Sequence, residues 1–394
     1  MSTGRRIAGQ TALLTGGNLI GLGLNFAGGI VITRALGPEG RGTFAWLLTL
    51  VGIAIQVAAL APAPAIRALP DEERARLPLA IPLLAGLGTV LTMPLLAYGL
   101  ARPAPAVEVD GLLLLGWIAV PATAAALGLS TLVQIGGKPG PILAVQSVPR
   151  LVQLGLVLLF AALGRMDVAV AIGLFATTAC VEVGLAAALL PRGTCWTWPD
   201  GALLRAVAGR LGAGWVATIA LFCLSRVGLL VLAGTAPLAE TGIYSVALTL
   251  QEVALIAPVA LGGVLISLGG GRRAGRRAAT LILGGVAVAC AAAALLAPFV
   301  VPLLFGARFA GAADLFRLLL PGVVCAAAHQ IAQSGLYASG SARVVAAPAL
   351  AGFAVAILTA LLAVPAYGAE GAVLSNLCGY LTLAVLSVRL SVRS

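Results

Sequence analysis

The chain reads as a run of apolar stretches, each about as long as a bilayer is thick, separated by short connectors. Nearly every second connector is rich in arginine. A helix of roughly 20 apolar residues can cross the hydrocarbon core because it satisfies its own backbone polar groups there. Arginine gathered in alternate connectors sets which side faces the cytoplasm. Together the two patterns predict an all-α polytopic membrane protein. Composition agrees: of 394 residues, 61% are hydrophobic and 9% charged, too few charges to cover a soluble domain of this size. A net charge of +11 would suggest a nucleic-acid partner in a soluble protein. Here the arginines sit mostly in alternate connectors, so they are read as topology signals and no nucleic acid is expected.

The pattern predicts about twelve transmembrane helices, over 11–33, 43–66, 78–100, 111–135, 141–163, 168–190, 211–233, 242–268, 279–304, 315–338, 344–366 and 370–389. With the N-terminus inside, the cytoplasmic side collects sixteen basic residues: Arg5, Arg6, Arg67, Arg74, Arg76, Lys138, Arg192, Arg205, Arg210, Arg272, Arg273, Arg276, Arg277, Arg343, Arg389 and Arg393. The outer side has six, Arg34, Arg41, Arg102, Arg165, Arg308 and Arg317, while Arg150 and Arg226 lie within spans. This bias predicts an N-in, C-in topology. Arg5 and Arg6 precede a long apolar stretch with no small-residue cleavage site, which is read as an uncleaved first helix. The longest connector, 191–210, is too short for a soluble catalytic domain. The expected organisation is a six-helix bundle over 1–190, a cytoplasmic connector over 191–210 and a second six-helix bundle over 211–394. The six cysteines are scattered and there is one histidine, so neither a zinc site nor a disulfide framework is expected, and no cofactor is.

The two halves share a pattern. The first outer hairpin reads Ala35-Leu36-Gly37-Pro38-Glu39-Gly40-Arg41-Gly42-Thr43-Phe44-Ala45. Two hundred residues later comes Ala233-Gly234-Thr235-Ala236-Pro237-Leu238-Ala239-Glu240-Thr241-Gly242-Ile243-Tyr244. Each has Gly, Pro and Glu, then Gly-x-aromatic opening the next helix. The connector Gly136-Gly137-Lys138 is similarly matched by Ser339-Gly340-Ser341-Ala342-Arg343. Transporters use such repeats to place a substrate path between halves that rock, so a central cavity between two six-helix repeats is expected.

At these residues the chain resembles a known family. The segment Ile32-Thr33-Arg34-Ala35-Leu36-Gly37-Pro38-Glu39-Gly40-Arg41-Gly42 resembles the first hairpin of polysaccharide-biosynthesis flippases, the O-antigen transporter group of the MOP superfamily. Gly242-Ile243-Tyr244-Ser245-Val246-Ala247 resembles the start of their eighth helix, and Phe305-Gly306-Ala307-Arg308-Phe309-Ala310-Gly311-Ala312 the loop after their ninth. Val364-Pro365-Ala366-Tyr367-Gly368-Ala369-Glu370-Gly371-Ala372 is similar to the turn into their last core helix. The resemblance implies a flippase in the bacterial cytoplasmic membrane. It would move undecaprenyl-diphosphate-linked oligosaccharide to the outer leaflet by alternating access, through a cationic cavity lined by the first, second, seventh and eighth spans. It also implies glycosyltransferases and a polysaccharide polymerase as functional neighbours, alongside membrane lipids.

Four ionisable residues fall inside spans: Arg150, Glu182, Arg226 and Glu252. Charges are costly in lipid and should face protein, water or a partner. Arg226 lies eight residues before Gly234 and Glu252 ten after Gly242. At 1.5 Å per residue both sit about 12–15 Å from the outer surface on successive spans. Arg150, twelve residues past Lys138, and Glu182, ten before Arg192, lie at comparable depth nearer the inner face. Two readings stand for each pair. One is a structural ion pair that neutralises buried charge, preferred for Arg150 with Glu182. The other makes Arg226 the anchor for a diphosphate, whose oxygens a guanidinium matches, with Glu252 as its counter-ion when the site is empty. Asn18 and Asn25, seven apart on one face of the first span, and Gln56 in the second are candidates for hydrogen bonds to sugar hydroxyls, or between helices. His329 and Gln333 are four apart and read as packed polar residues. The run Gly269-Gly270-Gly271-Arg272-Arg273 lacks the ending of a phosphate loop and reads as a topology signal, and Asp71-Glu72-Glu73-Arg74 as a solvated loop.

Two other classes compete with a flippase. A cation-coupled exporter of small molecules, of the related MATE type, would share the twelve-helix plan. It should carry membrane acids free to take up a proton or sodium, whereas both acids here have an arginine at similar depth. A membrane-embedded polymerase or ligase would need a sizeable outer loop with catalytic groups, which the spacing does not provide.

Overall fold

The computed structural model describes the backbone of residues 2–101, 109–267, 272–338 and 342–393, and all of the side chains there except those of 2–19, 64, 109–110, 257–278, 334–338, 342–345 and 392–393. The side chains of Asn18, Arg5, Arg6, Arg272, Arg273, Arg276, Arg277, Arg343 and Arg393 lie outside the described residues, as do Arg102 and Gly269-Gly270-Gly271.

All regular elements among the described residues are helical. In chain order they are α1 (Ser2–Ala58), α2 (Ala63–Arg67), α3 (Asp71–Ala75), α4 (Leu77–Val90), α5 (Met93–Ala101), α6 (Val109–Ile135), α7 (Pro139–Ala162), α8 (Val168–Ala188), α9 (Gly201–Thr235), α10 (Leu238–Ser267), α11 (Arg272–Phe305), a 3-10 turn (Ala307–Phe309), α12 (Ala312–Ala338) and α13 (Ala342–Arg393). Among the described residues eight helices are long and apolar enough to cross a membrane. A ninth span is added if α4 and α5, bent by 42° about Leu91 and Thr92, act as one. The protein is therefore a multi-pass membrane protein.

Three helices contain an internal break, and two of them are far too long to be single spans. At 1.5 Å per residue, the 57 residues of α1 would reach about 85 Å, nearly three times the hydrocarbon thickness. The backbone breaks at Gly37, where φ is +67°. Glycine takes that conformation without a Cβ clash, and Pro38 restarts the helix at its first turn, where its missing N–H costs nothing. Gly368 (φ +55°) breaks the 52-residue α13, and Gly212 (φ +37°) breaks the 35-residue α9. The expected boundary near residue 34 thus falls at Gly37, and the span expected to begin at 211 is preceded by a helical segment that starts at Gly201.

The chain divides into two compact units. The first is Met1–Leu36 with Leu47–Trp215, the second Gly37–Trp46 with Val216–Ser394.

In the first unit α6 packs against α4 and α8, and α8 against α7. Trp117 Nε1 donates to Thr92 Oγ1 at 3.2 Å, holding the α4–α5 bend. Gly21 brings α1 against the Gln146 carbonyl of α7, where an added Cβ would lie 3.0 Å from that oxygen. At one end of this unit the loops are tied together. Arg67 donates to Gln134 (3.1 Å), Cys195 N to the Ala75 carbonyl (2.7 Å) and Arg76 to Asp200 (2.7 Å). The Leu203 amide and the Arg76 guanidinium hold the Asp200 carboxyl below the usual carboxylate range, and Asp200 in turn raises Arg76.

In the second unit α12 packs against α10, α11 and α13. The two related hairpin segments cross here in reciprocal fashion. A Cβ on Gly42 would overlap the Leu238 carbonyl, and one on Gly242 would overlap the Pro38 carbonyl. Positions two hundred apart therefore make the same close approach, and a methyl at either would force the segments apart at a cost of about 1–3 kcal/mol. Glu240 accepts from the Ala369 amide at 2.7 Å, capping the helical segment that restarts after Gly368.

Candidate functional site

The candidate site lies in the second unit, on α9, α10 and the short segment of α1 past Gly37. Glu252 is paired with Arg226 through Arg226 Nη2 and Glu252 Oε1. One turn before Arg226, the Phe222 ring lies 5.7 Å under its guanidinium, close enough for a cation–π attraction. Arg226 is largely covered, at 22% exposed, while Glu252 is 46% exposed. The acid is therefore the open member of the pair. Arg226 Nε is buried and lacks a hydrogen-bond partner.

A second guanidinium joins the pair. Arg41 donates from Nε to Ser245 Oγ at 3.0 Å and from Nη2 to Thr249 Oγ1 at 3.1 Å, with its charge 5.7 Å over the Phe44 ring. Ser245 and Thr249 pass their own hydroxyl protons to the Gly242 and Ser245 carbonyls, at 2.8 and 2.9 Å. Their lone pairs are thereby left facing Arg41. Ser245, Thr249 and Glu252 are spaced i, i+4, i+7 and so form one stripe along α10. Through Ser245 and Thr249, Arg41 is held on the stripe of α10 that also carries Glu252. The cluster holds two fixed positive charges and one negative. Tyr244 and Tyr380 are both buried in the same unit, and Tyr244 donates to the Ala372 carbonyl at 3.2 Å. Such a group can bind an anion bearing two adjacent charges once the acid is displaced.

Arg41, counted from the sequence among the outer-side charges and just ahead of the span expected over 43–66, stands four residues past the Gly37 break, on the helix. The signal for it was the Ser-Thr-Glu stripe on α10, which has a face to satisfy.

The other candidates are placed as follows. Arg150 Nη1 and Glu182 Oε2 are 3.1 Å apart in the first unit, and these side chains are 24% and 15% exposed. Asn25 is exposed, and Gln56 is half-buried with its backbone oxygen accepting from Trp215 Nε1 at 3.2 Å; both belong to the first unit. His329 is buried, with Nδ1 2.8 Å from Ser387 Oγ. No group of three or more metal-ligating side chains occurs among the described residues. Gln251, beside Glu252 in sequence, faces away from the stripe and donates to Asn376 Oδ1 (2.9 Å) and the Leu319 carbonyl (3.3 Å).

No protein-family model matches the sequence, and neither does any curated protein. Solved structures do match. An inward-facing multidrug resistance MATE family transporter of the MOP superfamily superposes with a TM-score of 0.69 at 12% identity, over 94% of this chain and 93% of that one. The chain shares the fold of this transporter. The lipid II flippase MurJ, in an inward closed conformation, gives a TM-score of 0.69 at 12% identity over 98% of this chain and 87% of its own. A Vibrio cholerae MATE transporter gives 0.64 at 16% identity, over 99% and 97%. These neighbours are transporters and flippases, not enzymes.

Proposed function

We propose that the protein is a flippase that carries undecaprenyl-diphosphate-linked oligosaccharide across the bacterial cytoplasmic membrane, for surface polysaccharide biosynthesis. The observation that carries this reading is the Arg41, Arg226 and Glu252 cluster on membrane helices. A diphosphate presents two charged groups a few ångströms apart, and two guanidiniums offer matching forks of donors that stay charged. With the site empty, Glu252 neutralises one arginine. With substrate bound, the phosphates replace the carboxylate, and the open position of Glu252 lets it leave. A ligand moves a two-state carrier only through a difference in affinity between the states. The exchange of Glu252 for substrate is where we locate that difference in an alternating-access cycle.

Twelve spans fit this reading. Breaks at Gly37 and Gly368 divide α1 and α13 into two each, α4 with α5 makes one, and α6 through α12 supply seven. The arginine bias supports N-in, C-in orientation. Two six-helix halves over 1–190 and 211–394, joined by a cytoplasmic connector over 191–210, are part of this reading. Asn25 and Gln56, with Asn18, would offer hydrogen bonds to sugar hydroxyls. Glycosyltransferases that build the substrate and a polymerase that consumes it are the functional neighbours this activity requires.

A MATE-type, cation-coupled exporter is the second reading, favoured by the exposure of Glu252. The two separate in a strain lacking the gene. The flippase reading expects lipid-linked oligosaccharide to accumulate on the cytoplasmic leaflet, reversed by the intact gene and not by Arg226→Ala. Normal leaflet distribution in a strain without a redundant transporter would overturn it in favour of export.

A further inference from the structure

The strap between α8 and the apolar part of α9 belongs neither to a span nor to the site. At 35 residues, α9 would reach about 52 Å, well beyond the roughly 30 Å hydrocarbon core. The break at Gly212 separates its first eleven residues from the apolar remainder. Residues 189–211 therefore lie at a membrane face, whichever face that is. This stretch contains Trp196 and Trp198, which are 55% and 75% exposed. Soluble surfaces seldom leave two indoles so open, whereas the headgroup layer of a bilayer favours them, with the ring in its apolar part and the N–H wet.

The helical segment after the tryptophans is amphipathic. Leu203 and Val207 are buried against the protein, while Arg205 and Arg210 are exposed, as is Arg192 ahead of them. The strap is fixed in place, not loose. Asp200 caps the segment through the Leu203 amide at 2.8 Å and is gripped by Arg76, while Cys195 N bonds the Ala75 carbonyl. Gly136, two residues before the exposed Lys138, sits beside Pro191, so a Cβ there would lie 2.8 Å from the Pro191 ring. Five basic residues and two open indoles thus share one rim of the first unit.

We propose that this rim is a docking surface for anionic phospholipid headgroups of the adjoining leaflet, with Trp196 and Trp198 seated at headgroup depth and Arg192, Arg205 and Arg210 facing lipid phosphates. Charge complementarity commits it to an anionic leaflet. A basic side chain near such a surface gains roughly 1 kcal/mol, whereas a zwitterionic one offers little net field. The inference is independent of the transported substrate and stands or falls separately from it.

The test uses the full-length protein in vesicles of phosphatidylcholine alone or mixed with phosphatidylglycerol, each in turn carrying shallow acyl-chain bromines that quench indoles on contact. The Trp196→Phe/Trp198→Phe variant, subtracted from wild type, isolates the two fluorophores. Their emission should be quenched more strongly by brominated phosphatidylglycerol than by brominated phosphatidylcholine in the same mixture. That preference should vanish in Arg192→Gln/Arg205→Gln/Arg210→Gln. If the double variant folds poorly, Trp46→Phe/Trp117→Phe/Trp215→Phe leaves the pair as the only indoles and gives the same readout. Quenching by aqueous iodide with none by either lipid would overturn the proposal in favour of a water-facing or protein-binding strap. Equal quenching by both lipids would overturn its anionic selectivity.

Discussion

Among the described residues two arginine–glutamate pairs lie within the apolar helices, and they are built differently. In the first unit, Arg150 on α7 meets Glu182 on α8, one charge of each sign, and the acid is mostly covered at 15% exposed. In the second unit, Arg226 on α9 meets Glu252 on α10, but the acid is 46% exposed and a second arginine, Arg41, reaches the same stripe of α10. Neither arginine is fully hydrogen-bonded: Arg226 Nε is buried without a partner, and Arg150 Nη1 meets Glu182 Oε2 at 3.1 Å without forming an aligned hydrogen bond. Unsatisfied N–H groups therefore do not distinguish them. Charge balance does. A balanced, covered pair cancels itself and needs nothing further. The second group carries one positive charge in excess and an open acid, and the proposed anion site rests on that surplus. The difference teaches that a membrane ion pair is a functional candidate by its surplus, not by its presence.

The largest effects should come from breaking one pair at a time. Arg226→Ala should lower translocation of lipid-linked oligosaccharide by at least tenfold. The lost charge-assisted contacts are worth about 1.5–3 kcal/mol, and 1.4 kcal/mol is a factor of ten. Immunoblots of membranes should show near-normal protein. Arg150→Ala should do the reverse, lowering membrane level and thermal stability while the surviving protein turns over normally. Stranding one member of a fully buried pair costs about 3–5 kcal/mol, and less here because Arg150 keeps 24% of its surface. Equal effects of both substitutions on level, with neither selective for transport, would erase the distinction.

Removing both partners sharpens the contrast. Arg150→Ala with Glu182→Ala should recover much of the lost level, because no charge is left stranded, with a coupling of about 0.5–3 kcal/mol in a double-mutant cycle on melting temperature. Arg226→Ala with Glu252→Ala should fold and still fail to transport. A double variant that recovered transport would mean Arg226 serves only to neutralise Glu252.

How much of this was legible in the sequence depends on what each residue had to reveal. Apolar length and arginine placement suffice for a multi-pass helical protein, because the bilayer imposes one physical rule along the whole chain. Both ion pairs were legible too, since depth can be counted from connector ends at a fixed rise per residue. Arg41 was not, because at the edge of a turn the same residue type serves as a topology signal or as a site. Spacing could not show that helix resumes after Gly37 and carries Arg41 to Ser245 and Thr249. The reciprocal packing of Gly42 and Gly242 was legible as a repeat but not as a contact, because spacing says nothing of which carbonyl a glycine will face. The helical segment from Gly201 was hidden because its apolar residues, Leu203 and Val207, serve the protein and not the bilayer.

Smaller effects test whether Arg41 belongs to the cluster or only braces it. Ser245→Ala with Thr249→Ala removes two acceptors while leaving all three charges. At about 1 kcal/mol for each hydrogen bond, it should weaken transport by roughly five- to thirtyfold. Arg41→Lys keeps the charge but cannot bond both hydroxyls through its planar fork, so it should fall in the same range and not below it. If the hydroxyl double variant is harmless while Arg41→Ala is not, Arg41 acts by charge alone. The smallest changes are expected at Asn25→Ala and Gln56→Ala. Asn25 is exposed and Gln56 engages Trp215 through its backbone, so each should stay within about 0.5 kcal/mol in stability and about twofold in transport. A tenfold loss at either, with protein level unchanged, would mean that recognition of the glycan rests on the first unit, and that the surplus charge in the second selects only the diphosphate.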